Sequence, residues 1–326
     1  MDLSIIVPVY NVERYIRESI ESIYRQGLDE SRFEVIIIND DTKDRSMEVI
    51  ADIIEQHANI TVIHQENQGL SVVRNNGIAL AKGRYILMPD SDDLLIDGSL
   101  KPLLDRALAT NVDLVVADFL EMDDEEIEQF EGVSQTEATF REKTGEELFL
   151  EDLNPYQCYV WRTLFRREFI ISNNLTFIPG IYIQDVPFTH ECYLKAKRCL
   201  RTSWLLNIYR RGHESATFSF NPEKAKHFCI AIAKTWELTR LEYLTPKESY
   251  KLEEDIYTSF SAMVWILTHK IKKASERTEI IDFLKQQVPD LWFTHGRKQH
   301  LESWMYRHLP HLFIRLRYYY DTTFHK

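Results

Sequence analysis

Short apolar segments alternate with segments of helical periodicity along the first third of the chain, and this alternation constrains the fold more than any other feature. Each apolar segment is rich in Ile, Val and Leu, which indicates a buried strand. The predicted strands are Leu3–Tyr10, Phe33–Ile38, Ile60–Ile63, Tyr85–Met88 and Leu114–Ala117. The predicted helices are Val12–Tyr24, Arg45–His57, Leu70–Ala81 and Leu100–Ala109. Strands that alternate with helices form parallel units with right-handed crossovers, so we expect an α/β fold with a mostly parallel sheet flanked by helices.

One predicted strand, Tyr85–Met88, runs through Pro89 into three closely spaced carboxylates, Asp90, Asp92 and Asp93. Open α/β sheets bind ligands beyond the carboxyl ends of their strands. Carboxylates crowded there raise one another's pKa unless a cation or a donor-rich ligand compensates them. Hard oxygen ligands of this kind suit Mg²⁺ or Mn²⁺, which often bridge to substrate phosphates. The alternative interpretation is that Asp92 or Asp93 caps a helix beginning near Gly98.

A second predicted strand, Phe33–Ile38, also ends in polar residues, Asn39, Asp40 and Asp41. Because the carboxyl ends of parallel strands meet at one edge of a sheet, these residues should join the acidic cluster along a polar crevice. The architecture therefore indicates a site for a nucleotide.

Four motifs along this half of the chain resemble those of the family 2 glycosyltransferases, and they occur in the order typical of that family. The motifs are Val7-Pro8-Val9-Tyr10-Asn11, Ile38-Asn39-Asp40, the segment from Asn67 to Gly77, and Asp90-Ser91-Asp92-Asp93. A weaker match continues to about Thr217. The resemblance implies a GT-A fold with a Rossmann-like sheet, a nucleotide-activated sugar as donor, and inversion at the anomeric carbon.

The resemblance also implies which residues hold the nucleobase. Pro8, Val9 and Tyr10 match the segment beside the base, although Tyr10 also fits a packed core aromatic. Asp40 matches the acid that accepts a hydrogen bond from a base N–H, usually of uracil, because a carboxylate can only accept. The alternative for Asp40 is a simple turn residue.

Three further positions match residues that bind the rest of the nucleotide. Arg74 could pair with phosphate or stack on the base, or it could be a solvated helix residue. Asp90 and Asp92 match the outer acids of the Asp-x-Asp motif, of which the first contacts ribose and the second ligates the metal. The implied cofactor is Mn²⁺ or Mg²⁺, which screens the charge on the departing nucleoside diphosphate.

The general base is assigned from the same resemblance. Asp185 matches the aspartate that removes a proton from the acceptor hydroxyl, and Gln184 stands where the family commonly has Glu. Asp185 could instead cap a helix from Pro187 to Ala196. Trp161 is a weaker candidate for stacking on an acceptor sugar, and a buried Trp explains it equally well. His213 is a weak candidate for contacting phosphate or metal, since a lone His is more often structural.

Composition indicates the domain organisation, the partners and the cellular location to expect. With 326 residues and 44% hydrophobic content, the chain can bury a catalytic domain at 1–220 and a helical extension at 221–326. A formal charge of −12 argues against nucleic acid as a partner. Four cysteines without metal or redox spacing, together with no apparent signal or membrane-spanning segment, lead us to expect a cytoplasmic protein. The acidic region from Asp118 to Glu147 is expected to be a solvated excursion.

The C-terminal tail differs from the rest of the chain. Residues 295–326 hold six Lys and Arg against two acids, a net charge of +4, interleaved with aromatic and aliphatic residues. We expect an amphipathic segment, interrupted at Pro310, that lies on a membrane surface. The alternatives are docking on the protein's own acidic body and a dimer contact.

Together these features predict an inverting, metal-dependent glycosyltransferase that moves a sugar from a nucleotide diphosphate, with UDP expected, to a glycan or polyprenyl-linked acceptor in surface polysaccharide synthesis. A nucleotidyltransferase is the alternative enzyme, because it too places acids at strand ends to bind metal. A non-catalytic protein that binds sugar nucleotides or glycans is the alternative from another class.

Overall fold

The computed structural model describes residues 1–212 and 221–324, which divide into two compact units. The sheet unit comprises the described residues of Met1–Leu148, Tyr159–Pro179 and Lys195–His213. The helical unit comprises the described residues of Phe149–Cys158, Gly180–Leu194 and Glu214–Lys326. The domain boundary expected at residue 220 lies outside the described residues and stays a prediction.

All the strands belong to the sheet unit, whereas the longer helices of the second half belong to the helical unit. The strands are β1 (Leu3–Val9), β2 (Phe33–Asn39), β3 (Ile60–His64), β4 (Tyr85–Leu87), β5 (Leu94–Leu95), β6 (Leu114–Met122), β7 (Phe140–Lys143), β8 (Thr163–Arg166) and β9 (Cys199–Arg210). The helices are α1 (Ile16–Tyr24), α2 (Ala51–Gln56), α3 (Leu70–Leu80), α4 (Leu100–Thr110), α5 (Asp124–Glu128), α6 (Gly145–Glu147), α7 (Arg167–Ser172), α8 (Asp185–Lys195), α9 (Pro222–Glu237), α10 (Pro246–His269), α11 (Ala274–Gln287), α12 (Arg297–His308) and α13 (Pro310–Phe324).

The strands form one mixed sheet in the order β3-β2-β1-β4-β8-β6-β9-β5, with β7 paired to β9. The half from β3 to β4 is parallel throughout. Beyond β4, the strand β8 is antiparallel to both of its neighbours, while β6 and β9 are parallel. The predicted α/β fold, with helices beside the sheet and a helical C-terminal region, is confirmed.

The parallel half is buried on both faces, which explains why its strands are almost continuously apolar. Residues Leu3 to Val7 of β1 have no exposed surface. On one face α1 buries Ile16, Ile20 and Ile23. On α3, a Cβ at Gly77 would lie 2.3 Å from Cγ2 of Ile6, so only glycine permits so close an approach to β1.

The helical unit packs around α10. Phe260 of α10 has no exposed surface, and its ring lies near those of Phe293, Tyr306 and Phe313. The helical pattern of the tail does break at Pro310, where α13 begins. Among the described residues, none of the helices combines the length and the apolar character needed to cross a bilayer.

Two expectations about the sheet unit were wrong. The helix expected from Arg45 begins only at Ala51. The region from Asp118 to Glu147 is not simply a solvated excursion, because it contains the end of β6, α5, β7 and α6. Its acids also hold the fold together, since the carboxylate of Asp118 accepts hydrogen bonds from Arg201 and Arg162.

Candidate active site

The parallel strands bring the first two motifs to one edge of the sheet. Val9 at the end of β1 is in register with Asn39 at the end of β2, and the N–H of Asp40 donates to the carbonyl of Val9 at 3.0 Å. Pro8 is half-buried and Val9 is buried, whereas Tyr10 is 46% exposed. The interpretation of Tyr10 as a core aromatic is therefore wrong. Its ring is accessible at the edge where a base is expected.

Asp40 organises the turn that leads into α3. Its carboxylate accepts from the side chain of Gln65 at 2.7 Å, from the N–H of Gln68 at 2.9 Å and from the N–H of Gly69 at 2.8 Å. Gly69 has a φ of +83°, which a glycine adopts without strain. A carboxylate can accept about four hydrogen bonds. The three from described residues therefore leave one acceptor position on this carboxylate, and 3% of the residue's surface is exposed.

Arg74 lies on α3 and its side chain is 1% exposed, so the interpretation of a solvated helix residue is wrong. Its guanidinium donates to Oδ1 of Asp90 at 2.7 Å and lies 5.4 Å from the ring centroid of Phe177. Asn75 fixes Phe177 by exchanging hydrogen bonds with both its N–H and its carbonyl. This packing holds a buried positive charge directly against the acidic cluster.

The three carboxylates after β4 do form a cluster. Oxygens of Asp90, Asp92 and Asp93 lie within 4.8 Å of one another. Burial, followed by repulsion from Asp92 and Asp90, raises the pKa of Asp93 well above its usual range. Among the described residues, Oδ2 of Asp93 is buried without a hydrogen-bond partner. A divalent cation would compensate this arrangement, so the residues fit a metal site.

The alternative role of these acids as helix caps is wrong. The helix after the cluster is α4, which begins at Leu100 with Ser99 at its N-cap position. The carboxylate of Asp93 instead accepts from the backbone N–H of Arg210 at 2.9 Å.

Arg210 is a residue of this site that sequence reasoning missed. It lies at the end of β9, and its Nε donates to the carbonyl of Asp92 at 3.0 Å. The rest of its buried guanidinium donates to Glu18 at 2.7 Å and to Asp124. Arg210 of β9 therefore joins the loop at residues 90–93, called the acidic loop, to α1 through Glu18 and to α5 through Asp124.

Trp161 is 2% exposed, which leaves little of its ring for stacking on a sugar. The ring lies 4.9 Å from that of Tyr159 and 5.8 Å from that of Tyr209. Burial, followed by the charges of Tyr159 and the three acids of the cluster, raises the pKa of Tyr209 to about 12. The structure therefore supports the buried alternative for Trp161, and the aromatic group that is coupled to the acids is its neighbour Tyr209.

Asp185 is half-buried and is the first residue of α8, in the helical unit. One turn further, His190 hydrogen-bonds to Asp255 of α10 at 3.3 Å and to the carbonyl of Val186 at 2.7 Å, which anchors this helix. Gln184 is buried, where an amide avoids the cost of burying a charged Glu. His213 lies outside the described residues.

Comparison with known proteins identifies the class of enzyme to which this fold and these motifs belong. The family model described as glycosyl transferase family 2 matches residues 4–170. The chain therefore belongs to glycosyltransferase family 2.

Individual relatives agree with this assignment. The chain is 36% identical to EpsJ of Bacillus subtilis, described as an uncharacterised glycosyltransferase, over 69% of this chain and 66% of EpsJ. It is 24% identical to poly(ribitol-phosphate) beta-glucosyltransferase of Bacillus spizizenii, over 97% of this chain and 48% of that enzyme. The chain thus spans less than two thirds of either relative. The crystal structure of S. aureus TarS 1–349 in complex with UDP-GlcNAc is 20% identical, with a TM-score of 0.76 over 99% of this chain and 92% of that one, so it shares the fold.

Proposed function

We propose that this protein is an inverting glycosyltransferase that moves a sugar from a nucleoside diphosphate to an acceptor. The expected nucleotide is UDP, and the acceptor is a glycan or a lipid-linked molecule. The product belongs to a cell-surface polysaccharide or teichoic acid. The observation that carries the proposal is the cluster of Asp90, Asp92 and Asp93, paired with the buried Arg74, in a member of family 2. Such a cluster at the carboxyl edge of a parallel sheet suits a diphosphate and its cation.

The proposed binding of a uridine donor is supported by the sheet edge at the ends of β1 and β2. Asp40 has capacity to accept a hydrogen bond, and a uracil ring offers an N–H donor. Tyr10 is exposed beside it, as a ring that stacks on a base must be. The similar fold of TarS in complex with UDP-GlcNAc supports a uridine nucleotide.

The proposed metal site is supported by the negative charge of the acidic cluster. Asp92 would hold Mn²⁺ or Mg²⁺, with Asp93 beside it and Asp90 already paired with Arg74. The cation would supply Lewis acidity at the departing diphosphate. The chain's own contribution is a fixed loop, since Arg210 holds the carbonyl of Asp92 and the carboxylate of Asp93.

On the acceptor side, we propose Asp185 as the general base, because it matches the general base of the family. Inversion requires a group that removes the proton from the acceptor hydroxyl as the new bond forms. A carboxylate at the start of the anchored helix α8 is suited to this role. The similarity to an enzyme described as acting on poly(ribitol-phosphate) supports a cell-surface polymer as acceptor.

The direct test is to incubate the protein with Mn²⁺ and one donor at a time, using UDP-N-acetylglucosamine, UDP-glucose, UDP-galactose and GDP-mannose, and to separate the nucleotides by anion-exchange chromatography. Release of UDP from a UDP-sugar supports the proposal, and Asp92→Asn should abolish it while Asp97→Asn should not. Release of pyrophosphate in a parallel incubation with UTP and a sugar 1-phosphate, in which the product is a UDP-sugar, would identify a nucleotidyltransferase instead. Tight donor binding without any turnover, in the presence of poly(ribitol-phosphate) or polyprenyl phosphate acceptors, would indicate a binding protein.

A further inference from the structure

Helix α13 is apolar on two opposite faces. Its inner face buries Phe313 and Ile314 in the helical unit, where the ring of Phe313 lies 6.0 Å from that of Phe260. Its outer face exposes Leu312 at 44%, Leu316 at 49% and Tyr319 at 65%. These three residues follow one another at intervals of four and three, so they form one stripe along the helix. An exposed apolar stripe of this kind is typical of a surface that binds a partner or a membrane.

Helix α12 carries a stripe of the same kind. Leu301 is 57% exposed and Trp304 is 43% exposed, and the exposed Arg297 precedes them at the same helical spacing. Leu309, between the two helices, is also exposed. We call the following exposed side chains the tail surface: Arg297, Lys298, Leu301, Trp304, Leu309, Leu312, Arg315, Leu316 and Tyr319.

The charges of these two helices are sorted by face. Both acids lie on the inner side, with the side chain of Glu302 12% exposed and that of Asp321 6% exposed. Arg317 pairs with both of them, and Thr268 donates to Asp321 at 2.7 Å. Within the described part of α12 and α13, the exposed Lys and Arg are Arg297, Lys298 and Arg315, and every exposed ionised side chain is a cation.

We infer that the tail surface binds a membrane that contains anionic lipids. Leu side chains would enter the acyl boundary, and Trp304 and Tyr319 would lie at headgroup depth, which aromatic rings of this kind prefer. Arg297, Lys298 and Arg315 would lie among the lipid phosphates. Charge complementarity carries the choice of partner, because the tail surface is positive on a chain whose formal net charge is −12.

A second copy of the chain fits this surface less well. A dimer formed around a two-fold axis brings the same patch of both copies together. Six cations, Arg297, Lys298 and Arg315 of each copy, would then share one interface, with no exposed acid of these helices to compensate them. An anionic lipid surface has no such repulsion.

The inference goes beyond the proposed function and does not depend on it, since lipid binding can be measured without turnover. The full-length protein should co-sediment with vesicles of phosphatidylglycerol and phosphatidylcholine, and far less with vesicles of phosphatidylcholine alone. Reversing three charges, in R297E/K298E/R315E, should weaken binding on the order of a hundredfold. The matched control is K82E/R106E/K197E, which changes the same charge at exposed cations of the sheet unit and should bind almost as well as wild type.

A second pair of variants tests the apolar part. L312S/L316S/Y319S should bind less than wild type, whereas L80S/I171S/Y243S, which removes similar exposed side chains elsewhere, should not. All variants should keep the wild-type circular dichroism spectrum, since each changes exposed side chains only. Failure of the wild-type protein to bind anionic vesicles would overturn the inference. So would a wild-type dimer, seen by sedimentation velocity, that L312S/L316S/Y319S converts to monomer.

Discussion

The guanidinium of Arg74 lies 2.7 Å from the carboxylate of Asp90, and the arginine is 1% exposed whereas the aspartate side chain is 29% exposed. The positive charge therefore reaches the acidic cluster from inside the protein, and Asp90 is the more exposed member of the pair. Once Asp92 and Asp93 are ionised by binding a cation, Arg74 and the three aspartates carry a net charge of −2, which a divalent cation would balance.

Arg74→Met should lower the free energy of unfolding by about 2 kcal/mol, because it removes one partner of a partly buried ion pair. Added Mn²⁺ should restore more stability to this variant than to wild type, since the cation then compensates Asp90. Thermal unfolding with and without Mn²⁺ measures both effects. The control is Arg25→Met, which breaks the exposed pair with Asp97 and should cost less than about 1 kcal/mol. Equal stabilisation of both proteins by Mn²⁺ would contradict this account of the cluster.

Asp92→Asn should weaken the Mn²⁺-dependent binding of UDP by about a hundredfold or more, because a charged metal ligand becomes neutral. The protein should still fold, since the variant keeps the shape of the side chain. Isothermal titration calorimetry measures the affinity. Asp97→Asn, a few residues away on the exposed surface, should bind as wild type does. Unchanged affinity in Asp92→Asn would remove this residue from the metal site.

Asp185→Asn should retain UDP binding and reduce turnover by about a hundredfold to ten-thousandfold, as expected when a general base is lost. Calorimetry and a nucleotide-release assay measure the two quantities separately. Asp290→Asn, at an exposed acid of the same unit, should retain both. Normal turnover in Asp185→Asn would show that another group takes the proton.

Arg210→Lys should weaken Mn²⁺ binding by about tenfold, although the charge is kept. A lysine cannot reproduce the fork of donors that reaches the carbonyl of Asp92, Glu18 and Asp124 together. The neighbouring Arg211→Lys, at an exposed pair with Glu126, should have no effect on the metal. Equal Mn²⁺ affinity in Arg210→Lys and wild type would mean that the acidic loop holds its shape without this arginine.

Asp113 should make stability depend on pH in the acid range. Burial opposes ionisation of its carboxylate, but hydrogen bonds from Arg166 and from the N–H groups of Lys197 and Arg198 outweigh burial and lower its pKa. The stabilisation is therefore present above the unfolded pKa of about 3.9 and is lost as pH falls through the lower folded value. Asp113→Asn should cost about 2 kcal/mol at pH 7 and less at pH 3. Urea unfolding across this range measures it; a cost that does not change with pH would contradict the assignment.

The fold was predictable where local pattern decides it. Helix α3 was expected from Leu70 to Ala81 and runs from Leu70 to Leu80, because Gly69 permits its start. Strand β9 was not predicted, because its polar residues Arg201, Thr202 and Ser203 do not show a strand pattern. It is a strand because β6, β7 and β5, all distant in sequence, pair with it.

The same distinction between local and distant contacts applies to the residues of the site. Asp90, Asp92 and Asp93 could be found because they are neighbours in sequence, and the structure brings their carboxylates together. Arg210 could not, since it reaches Asp93 from 117 residues away. The role of Asp185 comes from family resemblance and stays a prediction.

The measurement that tests the central claim most directly is calorimetric titration of the protein with UDP, GDP and CDP, each with and without Mn²⁺. We predict that UDP binds, that Mn²⁺ strengthens this binding, and that Asp92→Asn removes the effect of the metal. Binding of none of the three nucleotides, or binding that is indifferent to both Mn²⁺ and Asp92, would contradict this prediction.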